Sequence, residues 1–474
     1  MLIVMTSPTL SPRTLPGKAP RGVRGGPTPL WWRDLSGATG WAVVLFVVAL
    51  WVHEGGLTDL AGWGNGLTSL GRLAGLLASV LLLIQVALMA RIPVVEQAWG
   101  QDELARVHRV VGFTSIWLML AHIGLTTLGY ADGTTLGVVG TFLDQVLHSG
   151  GMLLALAGTV ALLMVVVTSV RRARRRLRYE SWHLLHLYAY LGAGLALPHQ
   201  LWTGTDFRAS TVSTVFWWGL YAAVLAAVVV FRVLLPLIRT RRHRLVVGRV
   251  VHEAPGVVSV HVVGRDMHRL PVRAGQFFQW RFLDGQGWTR ANPYSLSAAP
   301  DGRALRITAR VVGDSTDRLT RLRPGVPVAI EGPYGRLHEG VATSERAVLI
   351  GAGIGITPLR ALLESLPAGR DRTVLIQRVR SGEDVLGAEL EDLARSRGAR
   401  HYVLAGPRIK DRTSWLPEQY SLWADATALR HLVPDIAERD VYVCGPTPWM
   451  DAVVAAARDC GVPDAAVHTE QFAY

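Results

Sequence analysis

Four histidines lie inside two membrane-length apolar segments, in two pairs of similar spacing. His108 and His122 are 14 residues apart, and His186 and His199 are 13 residues apart. At about 1.5 Å per residue each pair spans roughly 20 Å, about two-thirds of a hydrocarbon core, and lies on one helix face because both spacings are near four turns. Two such helices facing each other offer one His–His pair near each leaflet. This pattern predicts two six-coordinate b-type haems stacked across a membrane.

The inner position of the second segment has a competing histidine. His183 lies three residues before His186, on a similar helix face. The spacing to His199 favours His186 as the ligand, because it matches the spacing of the other pair. His183 is then interpreted as a propionate partner or a neighbour of the ligand. Any single histidine could instead be hydrogen-bonded within a helix bundle, but four at depth-matched positions favour metal ligation.

The helices that must carry these histidines are predicted from the apolar runs. Six spans are predicted, at 37–53, 71–90, 108–130, 149–170, 181–202 and 212–236. The stretch 171–178 holds six arginines and four more lie between 239 and 244, whereas the loop between the third and fourth spans has no Lys or Arg. The positive-inside rule therefore predicts a multi-pass plasma-membrane protein with both termini in the cytoplasm. His108 and His186 then lie near the inner side, and His122 and His199 near the outer side.

Charge and cysteine content narrow the function further. The net charge of +13 could indicate nucleic-acid binding, but the densest arginines flank apolar spans, where they act as topology signals. Two cysteines, Cys444 and Cys460, cannot build a disulfide framework, a zinc site or an iron–sulfur site. Residues 1–35 are predicted to be a disordered cytoplasmic lead without a cleavable signal.

The soluble half divides into two predicted folds. Short β-rich runs after residue 243 predict an antiparallel β-barrel at 243–340. Alternating strands and helices predict an α/β domain with a parallel sheet at 345–474. With a six-helix transmembrane domain at 36–240, the chain is predicted to be a multidomain membrane protein.

The barrel holds two motifs that could bind a flavin nucleotide and one turn that could close the barrel. RANPYSLS at 290–297 places a cation, an aromatic ring and hydroxyls at short alternating spacing, although an ordinary strand after a proline turn would look similar. RVVGDST at 310–316 opens a helix whose amide groups suit a pyrophosphate. EGPYG at 331–335 is a turn that can close the barrel.

The third domain holds three more. GAGIGITP at 351–358 follows a buried strand and opens a helix, as a dinucleotide loop requires, but its third glycine comes one residue early for GxGxxG. QRVRS at 377–381 replaces the acidic residue that binds a bare ribose, so Arg380 and Ser381 favour a 2′-phosphate, hence NADPH over NADH. VYVCGP at 441–446 lies at the ligand-binding edge of such a sheet, although Cys444 could be merely a small buried hydrophobe.

In their order, these motifs resemble the superfamily of ferric reductases and NADPH oxidases, in a bacterial form, over everything after about residue 35. The resemblance implies a ferric reductase-like transmembrane domain fused to a ferredoxin–NADP reductase-type module. It implies two haem b groups on His108, His122, His186 and His199. It implies an FAD site at Arg290, Pro293, Tyr294, Ser295, Ser297, Arg310, Gly313, Ser315 and Thr316. It implies a nicotinamide site at Gly351, Gly353, Gly355, Thr357, Pro358, Arg380, Ser381, Gly445 and Pro446. Cys444 would border the nicotinamide ring, and Tyr474 would cover the flavin until nicotinamide displaces it, so both are expected to take part in catalysis.

The resemblance implies a transmembrane flavocytochrome b oxidoreductase. Electrons from cytoplasmic NADPH, or alternatively NADH, would pass through FAD and the haems to a small extracytoplasmic acceptor, with ferric iron expected first and dioxygen second. An alternative is a membrane subunit that supplies electrons to an extracytoplasmic partner protein. A redox sensor is disfavoured, since no output domain is recognisable.

Overall fold

The computed structural model describes residues 31–170, 179–285, 290–380 and 385–471. Its amino-terminal half is helical. The helices are α1 Trp31–His53, α2 Trp63–Leu88, α3 Pro93–Trp99, α4 Gln101–Ala131, α5 Gly137–His148, α6 Met152–Ser169, α7 Tyr179–Trp202, α8 Thr205–Arg208 and α9 Thr211–Val228. A π-helical segment, Val229–Leu234, continues α9 into α10, Leu235–His243, which leads directly into the first strand of the soluble half.

Five helical segments of the described residues are long and apolar enough to cross a membrane. They are Trp31–His53, Trp63–Leu88, Gln101–Ala131, Met152–Ser169 and Thr211–His243. The remaining predicted span corresponds to α7, which is 24 residues long but is less hydropathic because its histidines, tyrosines and Gln200 interrupt the apolar run. A helical apolar amino-terminal half is therefore confirmed, whereas the count of six spans stays a prediction.

Glycines bring each histidine-bearing helix against one neighbour. A Cβ atom on Gly71 of α2 would lie 2.7 Å from the Thr126 side chain of α4, and one on Gly158 of α6 would lie 2.7 Å from the Gly192 carbonyl of α7. Small residues permit such close approach of helix backbones in membranes. The pairs α2–α4 and α6–α7 thus set the positions of the four histidines.

The next region consists of two three-stranded antiparallel sheets around one core. The first sheet has the order β1 Val246–Ala254, β2 Val257–Val263 and β5 Ala304–Arg310, and the second has β4 Asn292–Ser295, β3 Phe277–Phe282 and β6 Val328–Tyr334. In β3 the side chains of Phe278, Trp280 and Phe282 are buried at every second position, as a half-buried strand requires. A short helix, α11 Asp314–Thr320, follows β5. Closure of these sheets into a barrel stays a prediction.

The carboxy-terminal region has the predicted parallel sheet. Its five strands have the order β11 Val467–Gln471, β10 Asp440–Gly445, β7 Ala347–Ala352, β8 Thr373–Val379 and β9 Arg400–Ala405. The helices α12 Ile356–Ser365, α13 Gly387–Arg397, α14 Asp425–Leu432 and α15 Thr447–Asp459 connect and flank the strands. The three nucleotide motifs lie where β7, β8 and β10 end, so they share one edge of the sheet.

Candidate functional site

The inner histidine pair, His108 on α4 and His186 on α7, is brought together by the bundle. The two ring centroids are 5.9 Å apart and the ring planes are inclined by 61°. A bond from a metal to an imidazole nitrogen is about 2 Å long, and each ring centre lies about 1 Å beyond its nitrogen. Two axial imidazoles on one metal therefore have centres about 6 Å apart, so the observed separation fits a shared haem iron.

Contacts between Nδ1 and a backbone carbonyl orient three of the four imidazole rings. The Nδ1 atoms of His108 and His122 lie 3.1 Å from the Gln85 carbonyl and 2.8 Å from the Gly71 carbonyl of α2. The Nδ1 atom of His199 lies 2.5 Å from the carbonyl of Ala196. A carbonyl oxygen only accepts, so each neutral ring carries its proton on Nδ1 and leaves Nε2 as the electron-pair donor. A metal-ligating histidine has this tautomer, with the ring nitrogen that does not bind the metal donating to a carbonyl.

The outer pair, His122 and His199, lies against glycines of the neighbouring helices. A Cβ atom on Gly75 would lie 2.6 Å from Nδ1 of His122, and one on Gly151 would lie 2.8 Å from the backbone nitrogen of His199. Larger residues at either glycine would displace the histidines.

His183 lies in a different environment from His186. Arg232, Arg281 and Glu331, which belong to the π-helical segment and to the second β-sheet, act electrostatically on His183. The ring of His186 instead faces His108 and lies 3.3 Å through Nδ1 from the Ser169 hydroxyl. His183 thus faces the soluble half, while His186 faces the bundle interior.

Strand β4 carries the first flavin motif and presents one buried hydroxyl with no partner. Among the described residues, Oγ of Ser295 is buried without a hydrogen bond. Tyr294 precedes it, its carbonyl accepting a 2.9 Å hydrogen bond from Nε1 of Trp280, and Pro293 is exposed. Arg290 lies just before this strand. An unsatisfied buried hydroxyl beside a half-buried aromatic ring fits a bound flavin nucleotide.

Ser297, by contrast, is placed inside the protein and not at an open flavin face. It is fully buried, and its hydroxyl accepts hydrogen bonds from Nε of Arg306 at 3.0 Å and from Oγ1 of Thr308 at 2.7 Å. Both lone pairs are therefore occupied. Because both acceptor positions are used within the protein, we interpret Ser297 as a support for β4, and its direct contact with FAD stays a prediction.

The turn 313–316 after β5 is closed by Thr316. Its hydroxyl accepts from the amides of Val312 at 2.9 Å and Gly313 at 3.2 Å, and donates to the Gly313 carbonyl at 2.9 Å. The side chain of Thr316 thus shapes the turn and has no free lone pair for a pyrophosphate. Gly313 is exposed with open space at its Cβ position, and Ser315 and Arg310 are half-buried.

The glycine turn after β7 has the form that the dinucleotide motif predicts. Gly353 has a φ of +55° and is exposed, and a Cβ atom on Gly355 would lie 2.4 Å from the Cys444 carbonyl. The Gly351 position is equally tight, since its Cβ would lie 2.8 Å from Ile356. Thr357 donates to the Ile354 carbonyl at 2.9 Å and, with Pro358, is buried in the first turn of α12. The turn thus leaves backbone at Gly353 for a nucleotide to approach.

Cys444 ends β10 in complete burial, next to Glu470 of β11. Its Sγ lies 3.5 Å from the Glu470 carbonyl, and burial, followed by the charges of Glu470 and Asp102, raises the pKa of the thiol well above its usual value. The thiol is therefore neutral and packs below the sheet edge. Gly445 is buried and Pro446 is exposed at the same edge.

Arg380 is exposed directly after β8, on the same edge of the sheet. Arg380 and Arg408 both act electrostatically on Arg378, and burial, followed by these two charges, lowers the pKa of Arg378. The buried guanidinium of Arg378 donates to three backbone carbonyls, whereas Arg380 and Arg408 are exposed and suit a phosphate. The other two predicted residues of this region, Ser381 and Tyr474, lie outside the described residues, as do the arginines of 171–178.

A polar network that the motifs did not predict joins the second and third regions. Arg306 donates to the carboxylate of Glu389 on α13 at 2.9 Å, and Arg360 of α12 lies 2.7 Å from the same carboxylate. Glu364 accepts a 2.8 Å hydrogen bond from the amide of Ala299, just after the flavin motif. The only sequence signal was an arginine inside the buried strand β5.

Comparisons with known families match both halves of the chain. The ferric reductase like transmembrane component matches residues 74–197, which include His108, His122 and His186. The oxidoreductase NAD-binding domain matches residues 349–455, which include the glycine turn and Cys444. The two matches lie on the bundle and on the parallel sheet.

The matches to curated relatives cover part of this chain and part of each relative. Ferredoxin–NADP reductase B of Sorangium cellulosum is 31% identical over 194 residues, which are 38% of this chain and 77% of the relative. A flavohemoprotein of Chromobacterium violaceum is 29% identical over 237 residues, 46% of this chain and 58% of the relative. NADPH oxidase 1 of Rattus norvegicus is 38% identical over 80 residues, 16% of this chain and 14% of the relative.

Proposed function

Because the chain belongs to the superfamily of ferric reductases and NADPH oxidases, with a ferric reductase-like transmembrane domain and a ferredoxin–NADP reductase-type module, we propose that it passes electrons across the plasma membrane. The donor is cytoplasmic NADPH, and FAD and two b-type haems carry the electrons to an extracytoplasmic acceptor. The termini and the soluble half are cytoplasmic, as the arginine-rich loops favour. An inside-negative potential of 100 mV would then favour outward electron movement by roughly 2.3 kcal/mol.

One observation carries this proposal, namely the geometry of the inner histidine pair. The separation of 5.9 Å between the rings of His108 and His186 matches axial ligation of one iron. An ordinary hydrogen-bonded histidine pair would place the nitrogens of the two rings toward each other or toward a shared partner. Here the Nδ1 atom of His108 is directed to the backbone of α2, and that of His186 to Ser169.

In this proposal the chain's own residues bind the haems and orient the ligating rings. His108 and His186 would hold the inner haem, and His122 and His199 the outer one, and the bound haems would supply one-electron transfer. The carbonyls of Gln85 and Gly71 keep the α4 rings in the ligating tautomer.

The nucleotides would be held at the edges of the two sheet regions. Tyr294 and Ser295 on β4 would contact the flavin, and the Gly353 turn would approach the nicotinamide nucleotide. When bound, FAD accepts a hydride from the nicotinamide and passes on single electrons, a chemistry that belongs to the cofactor. Arg380 and Arg408 would bind the 2′-phosphate that distinguishes NADPH from NADH.

Ferric iron, free or chelated, is the acceptor that we propose first. Dioxygen is the second candidate, because NADPH oxidase 1 is 38% identical to this chain over 80 residues. The two acceptors give different products, namely ferrous iron and superoxide, and are separated by measurement.

An anaerobic optical experiment on the purified full-length protein tests the proposal. NADPH is expected to bleach the flavin and then to produce the bands of reduced low-spin b-type haem. Ferric citrate and oxygen, admitted separately, are expected to reoxidise the haem at rates that rank them as acceptors. Flavin bleaching without any haem signal would refute the histidine assignment and leave a membrane-anchored flavin reductase.

A further inference from the structure

Five residues form a buried charged seam between the membrane bundle and the second β-sheet. The charged seam consists of Arg91 and Glu96 from the α2–α3 turn and α3, Arg232 from the π-helical segment after α9, and Glu331 and Tyr334 from β6. Glu96 and Glu331 are each 4% exposed, so their charges require partners. None of these residues belongs to the haem or nucleotide sites described above.

Arg91 is the centre of the membrane side of the charged seam. One of its Nη atoms lies 3.0 Å from Oε1 of Glu96 and donates to Oε1 of Gln101 at 2.6 Å. Its guanidinium carbon lies 4.1 Å from the centroid of the Tyr334 ring, in a cation–π contact. Burial strengthens such a contact, because less water competes for the cation.

Tyr334 connects these contacts, through Glu331, to Arg232 in the π-helical segment after α9. Its hydroxyl donates to Oε1 of Glu331 at 3.0 Å, and the same carboxylate oxygen lies 3.0 Å from Arg232. Burial, followed by the charge of Glu331, raises the pKa of Tyr334, so the phenol keeps its proton and donates. Arg239 of α10 also donates to the Gly332 carbonyl in the same strand. Strand β6 is thus held from two sides by the bundle.

The charged seam lies between the flavin strand and the inner histidine pair. In the sheet β4-β3-β6, Phe277 of β3 is paired with Ser295 on one side and with Tyr334 on the other. Tyr334 is therefore about 10 Å, two strand spacings, from the flavin motif. On the other side, His183 lies within electrostatic reach of Arg232 and Glu331, one helical turn before His186.

The backbone conformation of Arg91 would favour glycine, which indicates that the arginine side chain has a role at this position. Its φ is +63°, a left-handed conformation that is strained for an ordinary residue and that glycine adopts readily. Glycine would be the residue of choice for this turn if the turn were all that mattered. The contacts to Glu96, Gln101 and Tyr334 compensate for the backbone strain.

We propose that Arg91 and Tyr334 are positioning residues that hold the flavin-bearing sheet at a fixed distance and orientation relative to the inner histidine pair, and so set the rate of electron transfer from flavin to the inner haem. This inference rests on the proposed function. It assigns Arg91 and Tyr334 no role in hydride transfer, because neither lies at the nicotinamide edge of the parallel sheet.

Arg91→Gly is the most informative variant, because it deletes the guanidinium while relieving the backbone strain. Glu96 loses its ionic partner but can persist as the neutral acid, because burial already raises its pKa. An unchanged haem content checks that the variant is folded. After anaerobic mixing of the full-length holoprotein with NADPH, stopped-flow spectroscopy would follow flavin bleaching and haem reduction separately. We expect haem reduction to slow severalfold, because the rate of electron transfer falls as the distance between flavin and haem increases. Flavin bleaching, haem content and the haem midpoint potentials should stay as in the unmodified protein.

Three further variants complete the experiment. Tyr334→Leu should slow the same step, Arg91→Lys should be intermediate because it keeps a charge for Glu96 but loses the planar stack, and Arg395→Ala on the exposed face of α13 should change neither step. Equal slowing of both steps, unchanged haem reduction in Arg91→Gly and Tyr334→Leu, or a shift in haem potential that accounts for the rate would each overturn the inference. Absence of haem reduction in the unmodified protein would instead overturn the proposed function.

Discussion

The two serines of the flavin strand provide the sharpest test of how this chain holds FAD, because the structure gives them opposite environments. The hydroxyl of Ser295 is buried without a hydrogen-bond partner, whereas that of Ser297 accepts from Arg306 and Thr308. Ser295→Ala and Ser297→Ala remove the same atom from positions two residues apart. We expect Ser295→Ala to weaken FAD binding without destabilising the flavin-free protein, and Ser297→Ala to destabilise the flavin-free protein.

The magnitudes follow from the hydrogen bonds that each change removes. Burying a hydroxyl without a partner costs about 1–3 kcal/mol, so Ser295→Ala should leave the stability of the flavin-free protein unchanged or raise it. In the complex it removes one hydrogen bond, worth about 0.5–1.5 kcal/mol, and should weaken FAD binding between about twofold and about tenfold. Ser297→Ala leaves the buried Nε of Arg306 without its acceptor, whereas Thr308 can donate to Ser259 instead, and the loss should destabilise the flavin-free protein by about 1–3 kcal/mol. For a soluble half of more than two hundred residues, each kcal/mol of lost stability lowers Tm by roughly 2–4 °C.

The assay compares deflavinated and reconstituted full-length protein. Thermal unfolding of the deflavinated variants measures the stability terms, and titration with FAD, followed by quenching of flavin fluorescence, measures affinity. If Ser295→Ala lowered Tm of the deflavinated protein as much as Ser297→Ala does, the Ser295 hydroxyl would have a protein partner and the argument would fail. Unchanged FAD affinity in Ser295→Ala would remove the contact that we assign to it.

Three other predictions concern the haems, the nicotinamide nucleotide and pH. His122→Ala or His199→Ala should remove the outer haem, visible as a loss of about half of the haem absorbance per flavin, while NADPH still bleaches the flavin; two haems retained in either variant would contradict the ligand assignment. Arg380→Ala should raise KM for NADPH by about tenfold or more and leave KM for NADH nearly unchanged, which steady-state kinetics with both nucleotides would check. Burial, followed by the charge of Asp102, raises the pKa of Glu470 well above 4.5, so this carboxyl contributes to stability at low pH and loses that contribution as pH rises toward the folded-state pKa. Glu470→Gln should therefore flatten the fall in Tm with rising pH above about 4.5, and an unchanged slope would mean that Glu470 is ionised in the folded protein.

Much of the fold could be predicted from the sequence, because it depends on patterns within a few residues. The apolar runs determine the long helices, the alternation of Phe278, Trp280 and Phe282 determines which face of β3 is buried, and the glycines of 351–355 determine a turn that only small residues can form. The strand–turn–helix order of this motif also predicted its place at the edge of a parallel sheet. Such features follow from local sterics and from the separation of apolar from polar side chains.

The flavin motif contains a difference between two residues that the local sequence pattern could not predict. Ser295 and Ser297 are equivalent in the sequence, since both are hydroxyl residues on the same side of an extended strand. They are distinguished only by Arg306 and Thr308 of β5, which the folding of a second sheet brings to one serine and not to the other. No spacing within 290–297 contains that information.

The sequence alone therefore determined the kinds of elements, their order, and the residue types that can ligate a haem or cradle a nucleotide. Tertiary structure decided which of those groups are available, through the carbonyls of α2 that orient His108 and His122, and it placed Arg91 over the ring of Tyr334, 243 residues away in the chain. The physical reason is the distance along the chain over which each kind of interaction acts. Backbone geometry and hydrophobic periodicity act between neighbours in the chain, whereas hydrogen bonds and cation–π contacts act between neighbours in space, which packing of the whole chain alone defines.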